Sequence, residues 1–193
     1  MQNIITNFKK SVSLNAEQET YILSCFSDVS YKKREHLLEQ NTICNYLYFI
    51  KSGCVRIYST DDEMVENNIY FAIDDWWAVD LSSFIQQVPA RFHIQALTPC
   101  TLLRIHKSNF EKLLNEIPVM EKWFRILLQN ALISSENRIN NKIALSAEKR
   151  YEAFLKKYPN LELQISQRHI ASYLGISAEH LSKIKSRRLK TKP

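Results

Sequence analysis

The segment that most constrains the fold lies near the C-terminus, at residues 166–189 (SQRHIASYLGISAEHLSKIKSRRL). Four of its residues stand at offsets 0, 4, 10 and 13: Ala171, Gly175, Leu181 and Ile184. Gly175 is one of only two glycines in 193 residues, and glycine permits the left-handed backbone of a tight turn between helices. A small residue before that turn and two apolar residues after it predict a helix-turn-helix.

Charge separates this segment from the rest of the chain. Residues 166–193 contain seven Lys or Arg against one acid, Glu179, and the whole chain also has a net charge of +6. Residues 1–165 are therefore neutral overall. A solvated basic helix would account for the charge alone, but combined with the helix-turn-helix spacing the charge predicts binding to the phosphate backbone of nucleic acid.

Several classes of protein are excluded or disfavoured by what the sequence lacks. There is no apolar run of about 18 residues, and no apolar core precedes the first lysines, so we expect a cytoplasmic protein without a membrane span. The four cysteines (Cys25, Cys44, Cys54 and Cys100) are irregularly spaced, with no C-x-x-C. This pattern predicts buried, reduced thiols and no metal site.

The region between residues 29 and 105 has the texture of an antiparallel β-structure. Short runs rich in Val, Ile, Tyr and Phe alternate with turn residues, and no helix is predicted between them. The segment NYLYFIKSGCVRIYSTDDE is interpreted as a hairpin whose turn is Ser52-Gly53. A first helix is predicted over residues 13–27, with Asn15 as its N-cap.

One long helix is predicted from Pro118 to about Leu145. A seam at spacings of 4, 3 and 4 is the predicted dimer contact: Met120, Phe124, Leu127 and Ala131. A second apolar stripe points elsewhere: Leu128, Leu132, Ile139 and Ile143. Two apolar faces favour a helix that packs on its own domain and on a partner, with a core helix in a monomer as the alternative.

The order of these parts resembles that of the Crp/Fnr transcription regulators, especially short members from Bacteroidetes-type bacteria. The segments that carry the resemblance are FIKSGCVRIY, PVMEKWFRILLQNALISSENRI, LSAEKRYEAFLKKYP and IASYLGISAEHLSKIK. The resemblance implies an α+β fold with a cyclic-nucleotide-binding-like β-roll (jelly-roll) at 1–117, a dimerisation helix at 118–145 and a helix-turn-helix domain at 146–193. Most of the family's wing is absent, and the basic tail is expected to replace its contacts.

The resemblance also implies which residues touch DNA. The family's Arg-Glu-x-x-x-Arg pattern falls on Ala178, Glu179 and Lys183, and of these Glu179 and Lys183 are the expected readers of base edges. Alternatively, Glu179 is a first-turn acid favoured by the helix dipole. The complete predicted set, including phosphate contacts, is Gln167, Arg168, Ser177, Ala178, Glu179, His180, Lys183, Lys185, Arg187 and Arg188.

The effector region departs from the family pattern. The stretch DDWWAVDLSSFIQQVPARFHIQAL has no glycine, Ala90 occupies the place of the phosphate-binding arginine, and Arg91 comes one residue late. Because side chains alternate along a strand, we expect Arg91 to point away from the pocket and cyclic AMP not to bind. The candidate pocket residues are Trp77, Asp80, Leu81, Arg91, Ser134 and Ser135. No cofactor is expected.

The predicted function is that of a homodimeric transcription regulator that binds a palindromic site in double-stranded DNA, and the resemblance adds RNA polymerase as a partner. One alternative is a ligand sensor or scaffold whose helix-turn-helix is degenerate. A metal-dependent enzyme of the cupin type is disfavoured because His36, His93 and His106 are isolated in the sequence. We therefore expect no enzymatic activity.

Overall fold

A computed structural model of the chain describes residues 2–190. Its strands are β1 Ser27–Tyr31, β2 His36–Leu38, β3 Tyr46–Ser52, β4 Val55–Thr60, β5 Glu66–Ala72, β6 Trp77–Ala78, β7 His93–Ala96 and β8 Cys100–His106. Its helices are α1 Gln2–Lys9, α2 Ala16–Ser24, α3 Leu81–Gln86, α4 Lys107–Glu116, α5 Val119–Ala144, α6 Ala147–Lys157, α7 Gln167–Leu174 and α8 Ala178–Lys190, with a 3-10 helix at Leu161–Leu163.

The strands form two four-stranded antiparallel sheets in the orders β1-β8-β3-β6 and β2-β7-β4-β5. Their inner faces supply one apolar core, so the predicted β-roll is confirmed. The predicted hairpin at residues 46–60 is wrong, because β3 and β4 belong to different sheets. Gly53 has φ +103°, and a Cβ there would lie 2.6 Å from the Pro99 carbonyl oxygen. The chain crosses between sheets at a corner that only glycine fits.

Two helices, α1 and α2, precede the first strand of the roll, and a third, α3, interrupts its strands. The predicted Asn15 cap is confirmed, since its side chain accepts from the Gln18 N–H at 2.8 Å, although α2 is shorter than expected. The helix α1 was not predicted; Ile4 and Phe8 on it are fully buried. The absence of any helix between the strands is also contradicted, because α3 lies between β6 and β7. A six-residue helix gives too little periodicity for sequence patterns to detect.

The long helix α5 packs on its own roll through the face that we expected to meet a partner. Met120 is fully buried in the roll core, and Phe124 and Leu127 pack against that core. Ala131 is exposed beyond the edge of the roll. The predicted dimer seam is therefore wrong for Met120, whereas Phe124 and Leu127 are half-buried and their contact with a partner stays a prediction. The exposed apolar side chains of the second stripe are Leu132, Ile139 and Ile143, which are 60%, 55% and 81% exposed.

The helices α7 and α8 form the predicted helix-turn-helix. Gly175 has φ +66°, and its N–H donates to carbonyl oxygens in the last turn of α7. Leu181 and Ile184 of α8 are buried against α7 and α6 residues in a second core. The helix α8 extends to Lys190, the last residue that the structure describes, so the predicted lack of a wing is not tested. The predicted tail at residues 191–193 lies outside the described residues.

The second core joins the C-terminal helices to the roll. Phe71 of β5 packs edge-on against Phe154 and Tyr158 of the α6 region, and the Tyr158 hydroxyl accepts from the Phe71 N–H at 3.4 Å. Cys54 and Leu97 belong to the same cluster. The helix-turn-helix is therefore held against the outer face of the β2-β7-β4-β5 sheet.

All four cysteines are free thiols; Cys44, Cys54 and Cys100 are buried and Cys25 is half-buried. Burial raises the pKa of Cys44 to about 11, which keeps that thiol protonated. None of the helices within residues 2–190 is both long and apolar enough to cross a bilayer.

Candidate nucleic-acid interface and effector region

The outer face of α8 carries the central residues of the predicted DNA-binding set. Glu179, His180 and Lys183 are exposed, because Leu181 and Ile184 turn the opposite face of the helix into the second core. The exposed Ser177 hydroxyl caps the helix by accepting from the His180 N–H at 3.1 Å. Three side chains that can donate to or accept from base edges therefore share one accessible helix face.

The structure shows Glu179 in the first-turn position of α8, and its contact with a base edge stays a prediction. Its own backbone N–H and the Ser177 hydroxyl hold the pKa of the Glu179 carboxyl below its usual range, and Lys183 adds to this effect. The carboxylate thus serves as a first-turn acid of α8. The carboxylate also remains exposed to solvent, so its oxygens can accept a hydrogen bond from an external donor.

Two members of the predicted set face their own domain. Ala178 packs against the second core, and the Lys185 ammonium lies 3.1 Å from the Glu162 carboxylate. Arg187 and Arg188 are exposed to solvent, with an Arg187 guanidinium nitrogen 3.9 Å from Glu148 and the Arg188 guanidinium 5.9 Å from the centre of the Tyr151 ring. The predicted phosphate contacts of Arg187 and Arg188 therefore stay a prediction, whereas Lys185 is held by an acid of its own domain.

Gln167 and Arg168 lie in the first turn of α7, where both are exposed. Ser166 caps this helix by accepting from the His169 N–H at 3.4 Å. Their position at a helix N-terminus suits contacts with a phosphate backbone.

A buried arginine ties α7 to the roll. Arg56 of β4 is 3% exposed, and its guanidinium pairs with both carboxylate oxygens of Glu66 on β5, at 2.6 and 3.0 Å. It also donates to the Gln95 side chain at 2.8 Å and lies 3.3 Å from Nδ1 of His169 on α7. Burial, followed by the charge of Arg56, lowers the pKa of His169 to about 4. His169 is therefore neutral at pH 7 and accepts from Arg56.

Backbone and side-chain hydrogen bonds continue this contact along β5. The Asn68 N–H donates to the Ser172 hydroxyl at 3.0 Å, and its side-chain amide donates to the His169 carbonyl at 3.0 Å. The Ser172 hydroxyl donates in turn to the Glu66 carbonyl at 2.8 Å. We call this group of five residues (Arg56, Glu66, Asn68, His169 and Ser172) the docking network. The docking network was not predicted from the sequence, although polar residues at outward-facing positions of β4 and β5 could have indicated a contact there.

Asp80, which the family resemblance places where a glutamate would hold the ribose of a nucleotide, is used by the chain itself. The residue is 1% exposed, and one carboxylate oxygen accepts from the Ser83 N–H at 3.1 Å as the N-cap of α3. The other oxygen accepts from the N–H groups of Arg91 and Phe92, at 2.9 and 3.2 Å. The carboxylate is thus used to close the turn between α3 and β7, which argues against a contact with a ribose.

The other predicted effector residues are scattered. Trp77 packs among Phe8, Phe49 and Trp123, and its indole N–H donates to Asn7. Leu81 and Arg91 are exposed, and Arg91 lies beside the Phe92 ring. Trp77 is therefore a core residue, and the prediction that it lines a pocket is wrong.

Ser134 and Ser135 lie on different faces of α5. The Ser134 hydroxyl accepts from the Lys157 ammonium at 2.8 Å, and this residue lines a cavity between α5, α6, α7 and β5. That cavity includes none of the four roll residues of the predicted pocket. Ser135 is exposed to solvent.

In the part of the chain that the structure describes, no group of three or more His, Cys, Asp or Glu side chains is placed so that it could hold a metal ion. The histidines nearest each other are His36 and His93, whose ring centres lie 5.6 Å apart. His36 is hydrogen-bonded to the Tyr58 hydroxyl at 3.0 Å.

Comparisons with known proteins agree with this architecture. Residues 28–116 match the cyclic nucleotide-binding domain family. None of the curated proteins matches the chain in sequence. Among solved structures, the chain is similar to FixK2 from Bradyrhizobium japonicum, with 19% identity, a TM-score of 0.75, and coverage of 84% of this chain and 83% of that one.

Two further structures are similar over most of their length. A CooA mutant from Carboxydothermus hydrogenoformans is 23% identical, with a TM-score of 0.70 and coverage of 93% and 86% of the two chains. A protein from Eubacterium rectale, described as a transcriptional regulator of the Crp/Fnr family, is 21% identical, with a TM-score of 0.73 and coverage of 92% and 85%. At these identities the likeness establishes the fold.

The lowered pKa of His169 predicts a pH dependence of stability. Between pH 6.5 and about 4 the unfolded chain binds a proton that the folded chain resists, so the free energy of unfolding should fall as the pH falls through this range. Urea denaturation at pH 7.0, 5.5 and 4.5 should give a smaller loss for His169→Gln than for the wild type. His180→Gln, on the exposed face of α8, is the matched control. Equal losses in wild type and His169→Gln would contradict this assignment.

Proposed function

We propose that this chain, which carries a cyclic nucleotide-binding domain at residues 28–116 on the fold of the Crp/Fnr regulators, is a homodimeric transcription regulator that binds DNA through α8. The observation that carries the proposal is the exposed α8 face of Glu179, His180 and Lys183. In the proposed complex this face enters the major groove, where Lys183 donates to guanine and Glu179 accepts from cytosine. Gln167 and Arg168 contact phosphates beside it.

The charge distribution supports this placement. Residues 166–193 carry the net charge of +6, while the remainder of the chain is neutral. Because Lys185 pairs with Glu162 of its own domain, the proposed phosphate contacts fall to residues near the start of α7, to Lys183 and to the exposed Arg187 and Arg188. Ala178 in place of the family's arginine removes one reader, so the preferred half-site differs from the family's usual one.

The proposed dimer forms along the second stripe of α5. Leu132, Ile139 and Ile143 are exposed apolar side chains at helical spacing, and pairing with a second copy would remove them from water. A two-fold axis along α5 would place the two α8 helices about 34 Å apart, one turn of DNA, and would match a palindromic site. We assign residues 1–117 to the effector roll, 118–145 to dimerisation and 146–193 to DNA binding, with RNA polymerase as a further partner.

A Lys183→Ala variant tests the DNA contact. The probe is a duplex selected by the wild-type protein from a random-sequence pool, with binding followed by fluorescence anisotropy at ~100 mM salt. Loss of one base contact should weaken binding about tenfold or more. Lys149→Ala, an exposed lysine of α6 in the same domain, should bind as the wild type does.

Two results would contradict the DNA-binding proposal. In the first, the wild type enriches no sequence and shows no affinity above that for random duplex at this salt. In the second, both lysine variants weaken binding equally, which would mean that charge alone is responsible. Either outcome favours a sensor or scaffold with a degenerate helix-turn-helix.

An Ile139→Glu variant tests the dimer contact. Light scattering should give about twice 22.7 kDa for the wild type and the mass of one chain for the variant, because a carboxylate would be buried opposite its symmetry mate. Asn140→Glu, exposed on another face of α5, is the control and should remain dimeric. A wild-type mass of one chain at micromolar concentration would overturn the dimer.

The proposed effector pocket is divergent and does not bind cyclic AMP. Ala90, at the position of the phosphate arginine, is 2% exposed, and the Asp80 carboxylate is already occupied by backbone donors. Tyr70 is half-buried against the roll core, with its hydroxyl 3.5 Å from the Val79 carbonyl oxygen. Burial raises the pKa of Tyr70 to about 12, so it brings no charge to this space.

Calorimetry with cyclic AMP and cyclic GMP tests the divergence of the roll. We expect no saturable heat with either nucleotide at ligand concentrations up to ~1 mM, because Ala90 offers no cation to offset the loss of phosphate hydration. Micromolar binding that is lost in Arg91→Gln would contradict the proposal. That result would mean that Arg91 serves as the phosphate arginine.

A further inference from the structure

The contact between α7 and the roll depends on the protonation state of His169. Nδ1 of this histidine lies 3.3 Å from a terminal nitrogen of the Arg56 guanidinium. A guanidinium has only N–H donors and no acceptor, so Nδ1 makes this contact as an unprotonated acceptor. The docked position of α7 therefore requires a neutral His169 that carries its proton on Nε2.

Arg56 is not free to move away from this contact. It is 3% exposed, and its other donors are already used. Both carboxylate oxygens of Glu66 accept from it, at 2.6 and 3.0 Å, and the Gln95 side chain accepts from it at 2.8 Å. The guanidinium also lies 3.7 Å from the centre of the Tyr58 ring. A protonated His169 would thus place a second cation against a buried cation whose position three other side chains fix.

Further cations surround His169. Lys33 and Arg34, from the turn between β1 and β2, line the same cavity as His169, and no Asp or Glu is among the residues that line it. Burial and then the charge of Arg56 lower the pKa of His169 most, and the charges of Arg168 and Lys33 act in the same direction. The neighbouring β-turn and the histidine's own helix therefore add to the repulsion that a proton on His169 would meet.

Glu66 is the acid beside this group, and it is already engaged. Its hydrogen bonds from Arg56 hold the pKa of the Glu66 carboxyl below its usual range, so the carboxylate stays ionised in mild acid. Both of its oxygens are occupied by Arg56. Beyond Arg56 the next titratable group on this face is His93, whose ring stacks on Tyr58 at 4.7 Å and does not reach His169.

The edge of β5 reports whether α7 is docked. This strand is the last in its sheet, and the Asn68 N–H donates to the Ser172 hydroxyl of α7 at 3.0 Å. The same hydroxyl donates to the Glu66 carbonyl oxygen at 2.8 Å. The Asn68 amide is therefore protected from exchange with solvent by α7, and loses that protection when α7 leaves the strand.

We propose that the contact between Arg56 and His169 is a proton-operated latch, which releases α7 from the edge of β5 in mild acid. The proton binds the Nδ1 lone pair that accepted from Arg56, so protonation of His169 and docking of α7 exclude each other. Leu181 and Ile184 of α8 pack in one core with α7, so a released α7 carries the face of α8 to a new position relative to the roll.

Acid must favour release and not docking. Burial, followed by the charge of Arg56, holds the pKa of His169 at about 4 in the docked state, and release returns it towards 6.5. The released state therefore binds the proton more tightly, so docking is strongest at neutral pH and weakens as the pH falls below 6.5. With these two values, the equilibrium constant for release should rise about 30-fold between pH 7.5 and pH 5.0.

The test is amide hydrogen exchange of the full chain, without DNA, at pH 7.5 and pH 5.0, with each rate corrected for the intrinsic pH dependence of exchange. The protection of the Asn68 amide should fall about 30-fold in the wild type. It should stay constant in His169→Gln, whose amide oxygen can accept from Arg56 but binds no proton. His180→Gln, on the exposed face of α8, is the matched control and should respond like the wild type.

The amide of Leu103 is the internal reference. This residue is fully buried in β8, between β1 and β3, so its amide exchanges only when the roll unfolds. Release of α7 as a separate event should leave Asn68 less protected than Leu103 at both pH values. Equal protection of the two amides would overturn the latch, because α7 would then open only with the whole molecule.

Two further results would overturn the proposal. One is protection of Asn68 that does not change with pH in the wild type, or that changes equally in His169→Gln. The other comes from NMR titration of the His169 ring in the wild type, which needs no variant: a ring that titrates near 6.5 while Asn68 stays protected would show that protonation and docking are compatible. Any effect of release on DNA affinity rests on the proposed function, whereas these measurements stand if DNA binding fails.

Discussion

The buried guanidinium of Arg56 is the contact on which the arrangement of the two halves depends. A nearly inaccessible cation must keep its partners, because removing one member of a buried pair typically costs about 3–5 kcal/mol. Here the partners come from three places: Glu66 on the next strand, Gln95 on the strand at the other side, and His169 on α7. The guanidinium therefore holds α7 on the sheet and also links β4 to the strands on both of its sides.

This contact explains why the second core includes roll residues. Phe71 follows Glu66 and Asn68 along β5, and its ring packs against Phe154 and Tyr158. At the start of β5, Glu66 and Asn68 form hydrogen bonds that orient α7 on the sheet. At its end, Phe71 buries apolar surface against the α6 region. With α7 fixed in this way, α8 has its outer face turned to solvent and its inner face against α6.

Local patterns predicted the helix-turn-helix, because its turn glycine and its buried residues all lie within 14 positions of one another. The roll was also predicted as a class of fold, but the predicted pairing of β3 with β4 was wrong, since a turn glycine marks a reversal without indicating which sheet the next strand joins. Met120, the first residue of the predicted seam of α5, was assigned to the wrong neighbour for a similar reason. Helical periodicity identifies an apolar face, and only the tertiary contacts of Met120 and Phe124 decide what covers it. The effector residues were predicted incorrectly because Asp80 accepts hydrogen bonds from the chain's own backbone and Trp77 packs against its core.

The helix α5 has two different sides. One side packs on the roll through Met120 and Trp123, and the other exposes the stripe of Leu132 and Ile139. Successive residues of an α-helix are separated by about 100° around the axis, so Arg138, which follows Met120 by five full turns, returns to the side that packs on the roll and lines the cavity there. A single side of α5 thus spans both halves of the molecule, and a bend of the helix between Met120 and Arg138 would change the distance between the roll and the C-terminal helices.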